Sequence, residues 1–396
     1  MNYHVPDATE RDAFAAIAAQ SFQFPVAEAP AWFDRAGHDN VRVVVVNGEV
    51  AGGLLFIHMA QFFGGRPVPM VGIAAVAVAP HHRGTGLATA LMCRSVQELA
   101  EMGVALSVLY PASVRLYRKS GFEPAGLLLA STLPLATLNL QRADPVPTDH
   151  LRIRPLLPAD HPACEALSAD LAKHRNGQLQ RGPYLWSRVY YHKHFGQSYG
   201  FGVFDGDQLR GHAWYAQTGE QHSATIVLRD VAAIDAAAGL KLWRHFASYT
   251  TMFNDMSHNL PPDDPWLGLL PEWQSTTKAR LAWMLRMVDL PAAIGARGWP
   301  QGLTQSLTLQ VHSDPCALLD GSWRITVADG QGQCARADAA AAPQLTLHVR
   351  ALATLYAGYR SAHQLQQIGM LTGDPVAMAS ADALFAGQTP MMSDMF

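Results

Sequence analysis

Charge is scarce in this chain of 396 residues: Asp, Glu, Lys and Arg make up 15% and leave a formal net charge of −3. Without a basic stripe, a phosphate backbone has little to hold it, so nucleic acid is excluded as a partner. Hydrophobic residues supply 49% of the chain, which excludes disorder on compositional grounds. Cysteine is also sparse. Cys93, Cys164, Cys316 and Cys334 lie far apart in sequence and form no C-x-x-C pair. That excludes a disulfide-dense framework and a zinc site of that spacing, and reads as reduced thiols. No uninterrupted apolar run approaches the ~20 residues of a membrane span. The opening "MNYHVPDATERDAF" carries Asp, Glu and Arg, unlike a signal peptide. The expectation is a soluble, cytoplasmic protein with no membrane partner.

At roughly 100–200 residues per domain, the length allows two to four domains. Residues 7–20 carry apolar groups at helical spacing. Two β-branched runs then flank Asn47-Gly48 in "VRVVVVNGEVAGGLLFIHMAQFF", a strong hairpin signal. "PVPMVGIAAVAVAP" reads as another strand, followed by a helix to about Met102, a buried strand over 104–110, and a short helix over 113–119 ended by Gly121. Residues 127–140 read as extended. A proline-rich polar stretch, 141–162, places a boundary near residue 148. The second region repeats the first faintly: strand, turn and helix in "LRIRPLLPADHPACEAL", a hairpin around Gly206, then a strand and a short helix at Pro291. A third region reads as α+β, with strands in 302–313, 321–338 and 343–358 and helices after them. We therefore expect an α/β (α+β) chain divided as 1–147, 148–292 and 293–396.

The informative seam is "VAVAPHHRGTGLATALM", residues 76–92. A glycine-containing turn that opens a helix leaves backbone N–H groups without intrahelical partners, and the helix dipole adds partial positive charge there. Such a turn suits a phosphate or diphosphate. Gly84 and Gly86 allow close backbone approach, and Arg83 adds fixed charge. The turn lacks both the G-K-[ST] of a P-loop and the G-x-G-x-x-G of a dinucleotide fold. By itself it is also what an ordinary strand–helix connection looks like.

Three features single it out: Arg83-x-x-Gly86-x-Ala88, the V-x-V-x-P strand before it, and "LYRKSGFEPAG" some thirty residues on. Together they resemble the GNAT acetyltransferase superfamily, whose signature is Q/R-x-x-G-x-G/A. "LYPASVRLYRKSGFEPA", "ARLAWMLRMVDLPAAIGARG" and a terminal Phe extend the resemblance to the Eis (enhanced intracellular survival) branch. The resemblance implies two tandem GNAT-like domains, the second degenerate, followed by a sterol-carrier-protein-like domain. It also implies a hexamer that uses acetyl-CoA, with no metal, to acetylate amines of the aminoglycoside, polyamine or lysine-like kind.

Carried onto this chain, the resemblance gives coenzyme A the backbone of Val76, Ala77 and Val78, the turn Arg83, Gly84, Thr85, Gly86, Leu87, Ala88 and Thr89, and also Ala112 and Ser113. Val76 N–H would face the thioester oxygen, Tyr117 would be the general acid, and the carboxylate of Phe396 the general base. Phe24, Glu28, Trp32 and Asp394, with Phe22 and Phe33, match the region that walls the acceptor. The penultimate residue is Met395 rather than an acid, which points toward a less cationic amine or a longer acyl group. Other readings are another acyl-CoA or acceptor in a specialised pathway, or a hydrophobic-ligand-binding protein with a relict coenzyme site. His81 and His82 beside the turn read as residues lining the coenzyme groove. The His192-x-His194 pair lacks a third metal ligand nearby and reads as solvated.

Overall fold

The computed structural model describes residues 1–138, 146–192, 196–220, 224–270, 274–338 and 342–396. They fall into two compact units. The first contains residues 1–127, 175–180 and 282–396, and the second contains 128–174 and 181–281. Among the described residues, no helix is long and apolar enough to cross a membrane.

In the first unit, α1 (Ala8–Phe22) starts at an Asp7/Glu10 capping box and buries Phe14, Ala15, Ala18 and Ala19. A short α2 (Ala29–Ala36) follows, a helix that the sequence pattern alone does not announce. Strands β1 (Asn2–His4), β2 (Val41–Val46), β3 (Glu49–Phe63) and β4 (Arg66–Val78) pair antiparallel in that order. Asn47 and Gly48, both at positive φ, make the expected β2–β3 turn. Gly64 and Gly65 make a second two-residue turn that joins β3 to β4. From β4 the chain crosses over α3 (Leu87–Glu101) to β5 (Leu106–Leu109), parallel to β4. Crossover connections are what parallel neighbours require. Then come α4 (Val114–Arg118) and β6 (Glu123–Pro134). The far side of β5 pairs antiparallel with residues 284–287 of strand Thr276–Met287.

The third region supplies a five-stranded sheet in the order Gln331–Arg336, Gly321–Ala328, Gln305–His312, Leu345–His348, Leu371–Gly373. Trp323, Ile325 and Val327 alternate inward along Gly321–Ala328, the period of a half-buried strand. The run 343–358, read as extended, is strand only over Leu345–His348. Val349–Ala357 is a helix with every residue but Arg350 buried. An apolar run buried on all sides carries no period that separates helix from strand.

The second unit repeats the first unit's order of strands. Tyr199–Asp205, Gln208–Thr218 and Ala224–Ala233 pair antiparallel, and Ala224–Ala233 runs parallel to Phe253–His258 after helix Ala236–Ala247. The expected strand, turn and helix are Arg152–Pro155, Pro158–Asp160 and His161–Ala172. Residues 139–140, the end of the stretch read as extended, lie outside the described residues, as do the side chains of His192 and His194.

Candidate active site

β4 and β5 part company at the centre of the first unit. Their pairing stops at Gly72↔Val108, while β4 continues six residues to Val78. Within that free stretch β4 carries one residue more than β3: Gly53 faces Ala77, and Leu55 faces Ala74. The surplus is a bulge at Ala75, whose φ is +54°. A non-glycine residue in that region costs roughly 1–2 kcal/mol, so the surrounding sheet holds the bend in place. Ala79 N–H reaches Ala51 O on β3 at 2.9 Å. By alternation, the N–H and C=O of Val78 and Val76 point away from β3, into the space β5 has left. Val78 confirms the direction, because its carbonyl accepts from Arg83 Nε at 3.2 Å.

Past the strand, a short turn over Pro80–His82 leads to Gly84 (φ +81°) and Gly86 (φ +86°). A Cβ built on either glycine would meet nothing within 4 Å. Their requirement is conformational, and the space before them is open. Gly86 caps α3 with no side-chain hydrogen bond, so the first N–H groups of the helix are not taken by a capping side chain. Thr85 Oγ1 donates to His82 O at 2.8 Å and closes the turn. Arg83 is exposed; besides Val78 O it touches Ser21 Oγ at 3.3 Å and pairs with no carboxylate among the described residues.

The two histidines beside the turn differ. His81 is exposed and bonds Glu49 at 2.8 Å, while His82 is partly covered. Glu49, His81 and His82 each offer a metal-ligand atom within 4.8 Å of the others.

Tyr117 sits on α4, whose N-terminus Ser113 caps with its own hydroxyl. It is 5% exposed. It packs in one apolar cluster with Val76, Val78, Leu87 and Ala88, so the seam and the candidate acid share a core. Burial pushes its phenol up to about 12, and its hydroxyl donates to no protein group among the described residues. Ala112 and Ser113 are exposed at the start of α4.

The tail reaches the place where β4 and β5 separate. Leu127 N–H bonds Pro390 O at 3.0 Å, Met392 N–H bonds Leu127 O at 3.0 Å, and Met391 N–H bonds Asn176 O at 3.1 Å. Gln178 Nε2 donates to Ser393 Oγ at 3.0 Å. Asp394 contributes its backbone carbonyl, which accepts from Tyr110 Oη at 2.5 Å. The Phe396 ring lies 5.6 Å from that of Tyr110, and a Cβ on Gly72 would come within 2.6 Å of it.

Phe24 and Phe22 meet Trp32 edge-on at 5.7 and 6.0 Å, with Glu28 exposed on the intervening turn. Phe33 does not join them: it is 1% exposed and stacks on Phe14 at 5.5 Å. Neighbours on a helix point about 100° apart, so Trp32 and Phe33 cannot line one wall.

Sequence reasoning missed Ala75, Tyr110, Met59 and the 176–178 segment. Gly72 did leave a signal, since a glycine inside a strand pattern marks a bulge or a close approach.

A splayed parallel pair, a bulge and a helix opened by two left-handed glycines make a site for an extended ligand ending in phosphates. Models of an acetyltransferase (GNAT) domain match residues 2–125 and 177–287, and a sterol carrier protein domain matches 290–393. A GCN5-related N-acetyltransferase from Anabaena variabilis superposes over 100% of both chains with a TM-score of 0.92 and 30% identity. The chain belongs to the GCN5-related (GNAT) N-acetyltransferases. Its similarity to the N-acetyltransferase Eis of Mycobacterium tuberculosis is 28% identity over 92% of this chain and 91% of that one. An uncharacterized N-acetyltransferase of Streptomyces avermitilis is 29% identical over 82% of this chain and 80% of that protein.

The second GNAT domain keeps the bulge: Trp214 faces Asp230 and Tyr215 faces Leu228, leaving Arg229 as the surplus residue. It lacks the open helix start. Helix Ala236–Ala247 is capped by the carboxylate of Asp235, which accepts from Ala238 N–H at 2.9 Å and pairs with Arg210. A carboxylate seated there occupies the N–H groups an anion would need.

Proposed function

We propose that this enzyme transfers an acetyl group from acetyl-CoA to a primary amine of a small molecule by direct attack, with no covalent enzyme intermediate. The observation that carries the reading is the free edge of β4 beyond Gly72, bulged at Ala75 and ending at the uncapped turn Arg83–Ala88. The backbone of 76–78 would pair with the pantetheine arm. N–H groups of residues 84–89 and the Arg83 guanidinium would hold the diphosphate, with Ala112 and Ser113 at the groove's far edge. One N–H of Val76 facing the developing oxyanion would contribute about 2.7–4 kcal/mol.

Tyr117 remains a phenol at neutral pH and is our candidate donor to the leaving thiolate. In a chain that ends at Phe396, its α-carboxylate is our candidate base. With an ordinary pKa of about 3.3–3.7 it needs desolvation or a bridging water to take a proton from an ammonium. Phe24, Glu28, Trp32 and Asp394 are our candidates for acceptor contacts. The division 1–147, 148–292 and 293–396 and a hexameric assembly belong to the same proposal.

Thermal denaturation against acetyl-CoA tests the first claim: Tm rises with ligand concentration if the groove is live, and an unmoved Tm at saturating coenzyme refutes it. A screen of amines with acetyl-CoA and longer acyl-CoAs then assigns donor and acceptor. Residues appended after Phe396 should cut kcat and spare the coenzyme's Kd; undiminished turnover removes the carboxylate from the mechanism. Light scattering on the purified enzyme decides the assembly.

A further inference from the structure

Cys93 and Cys316, 223 positions apart in sequence, hold their sulfurs 2.8 Å from each other. Both are free thiols. Cys93 lies in the second turn of α3, half-covered, and Cys316 is 1% exposed. A disulfide needs sulfurs about 2.05 Å apart, so closing the bond asks for less than about 1 Å of movement.

The backbone around Cys316 is fixed from several directions. The Asp314 carboxylate accepts from the N–H of Cys316 and Leu319, both at 2.9 Å, and from Leu318 at 3.1 Å. Arg286, fully buried, donates Nη2 to both its oxygens at 2.6 and 2.7 Å. Gln97, one turn beyond Cys93 on α3, donates to Cys316 O at 3.3 Å. Helix and loop therefore already hold the pair in reach.

We propose that Cys93 and Cys316 are a disulfide-forming pair, closed by hydrogen peroxide, which links α3 covalently to the sterol-carrier-like domain. The chemistry runs in two balanced steps. The Cys93 thiolate attacks a peroxide oxygen, breaking the O–O bond; with the proton lost from the thiol, this gives a sulfenic acid and water. Cys316 then attacks the sulfenic sulfur, forms the S–S bond and releases a second water. In all, two thiols give up two electrons and the peroxide takes them.

The division of labour follows the surroundings. The hydrogen bond from Cys316, with the Arg286 guanidinium behind it, holds Cys93 below the ordinary thiol range even though burial works against it. The same contact and burial push Cys316 up. A half-covered thiol of low pKa is the attacking partner, and the buried one resolves it. Burial pushes the other two thiols, Cys164 and Cys334, up to about 12, which makes them internal controls.

The test treats the native full-length enzyme with hydrogen peroxide, quenches it, and maps its tryptic peptides without reduction. The expected result is the Cys93 peptide bonded to the Cys316 peptide, two of four thiols lost to maleimide after denaturation, and both restored by dithiothreitol. Cys93→Ser, at a half-covered position, should lose no thiol to a disulfide. The inference is overturned if Cys93 of the wild-type enzyme appears only as sulfinic acid or as an adduct of an added thiol while Cys316 stays free. Neither result depends on whether the groove binds acetyl-CoA.

Discussion

Two residues carry opposite burdens at the site. Ala75 bears strain, adopting a left-handed backbone where glycine would be at ease. Its neighbours in the sheet enforce it, which is how a strained residue persists beside a functional groove. Tyr117 bears burial. Its phenol stands at about 12, against 10 in water, so it keeps its proton throughout the physiological range and remains a donor. Tyr117→Phe should lower kcat by at least tenfold while changing the acceptor KM less than threefold; steady-state kinetics on a purified variant decide this, and an unchanged kcat removes Tyr117 from the chemistry. A pKa raised on folding contributes stability that is complete below the unfolded value near 10 and is lost as pH climbs toward 12. Wild-type stability should therefore fall between pH 10 and 12 more steeply than that of Tyr117→Phe, as urea titrations at stepped pH would record.

At the scale of elements, the contrast lies between two helix starts built on one strand order. Helix α3 opens on Gly86 without a capping side chain, whereas Ala236–Ala247 opens on the carboxylate of Asp235. The first leaves its leading N–H groups without a capping side chain, and the second occupies one with its carboxylate. Because a Cβ at Gly84 or Gly86 meets open space, the cost of a side chain there is conformational, about 1–2 kcal/mol. Gly86→Asn, which tolerates the left-handed region, should fold nearly as well as the wild type. Gly86→Val should lose stability, and both should raise the KM for the acyl donor by crowding the turn. Calorimetric titration of the coenzyme would separate the two effects. A Gly86→Val variant with undiminished coenzyme affinity would sink the assignment of this turn.

Much of this is legible in the sequence. The Asn47-Gly48 turn, the crossover through α3 and the glycines of the seam announce themselves through local chemistry, and the GNAT signature lies in six consecutive residues. The second hairpin at Gly64-Gly65 is harder to read because its strands, fifteen and thirteen residues long, exceed the usual length. The bulge at Ala75 leaves no trace, since nothing in "GIAAVAV" marks one alanine as left-handed. The approach of Cys93 to Cys316 and of Phe396 to Gly72 are contacts between distant residues, set by tertiary packing alone.

In the first unit, a buried ion pair ties the sterol-carrier-like region to the strand that pairs with β5. Arg286 and Asp314 both have fully covered side chains. Burial raises the cost of ionising Asp314, but Arg286 more than offsets it and holds the carboxyl below its usual range. Removing one partner strands a buried charge, at a cost of about 3–5 kcal/mol. Asp314→Ala should lose at least that much in urea unfolding, and the double change Arg286→Met/Asp314→Leu should recover only part of it, because the N–H groups of Cys316, Leu318 and Leu319 lose their acceptor. A carboxyl depressed on folding stabilises above its unfolded pKa near 4, and that contribution vanishes as pH falls through the folded value. Acid unfolding of the wild type should therefore include this pair.

The same unit threads its tail past three glycines, and their spacing from it decides which substitution reads out position rather than stability. At Gly126 a Cβ would run into the Trp283 ring and come within 2.6 Å of Pro390 O, and at Gly177 it would press on the backbone of Met391 at 2.9 Å. Changes there push against core and main chain and should unfold the protein. Gly72 differs. The nearest atoms its Cβ would meet are the ends of two side chains, Met59 Cε and the Phe396 ring, each at 2.6 Å. Met59 is unbranched and can swing aside, and the tail before Phe396 is also held through the backbone of Pro390, Met391, Met392 and Asp394. Gly72→Ala should thus keep the Tm within about 4 °C, a shift of roughly 1 kcal/mol or less, yet displace the aromatic ring from the point where β4 and β5 diverge. If the tail's end takes part in the chemistry, kcat falls several-fold with coenzyme affinity intact. Normal kcat in a stably folded Gly72→Ala enzyme would show that the ring's place against β4 is packing alone.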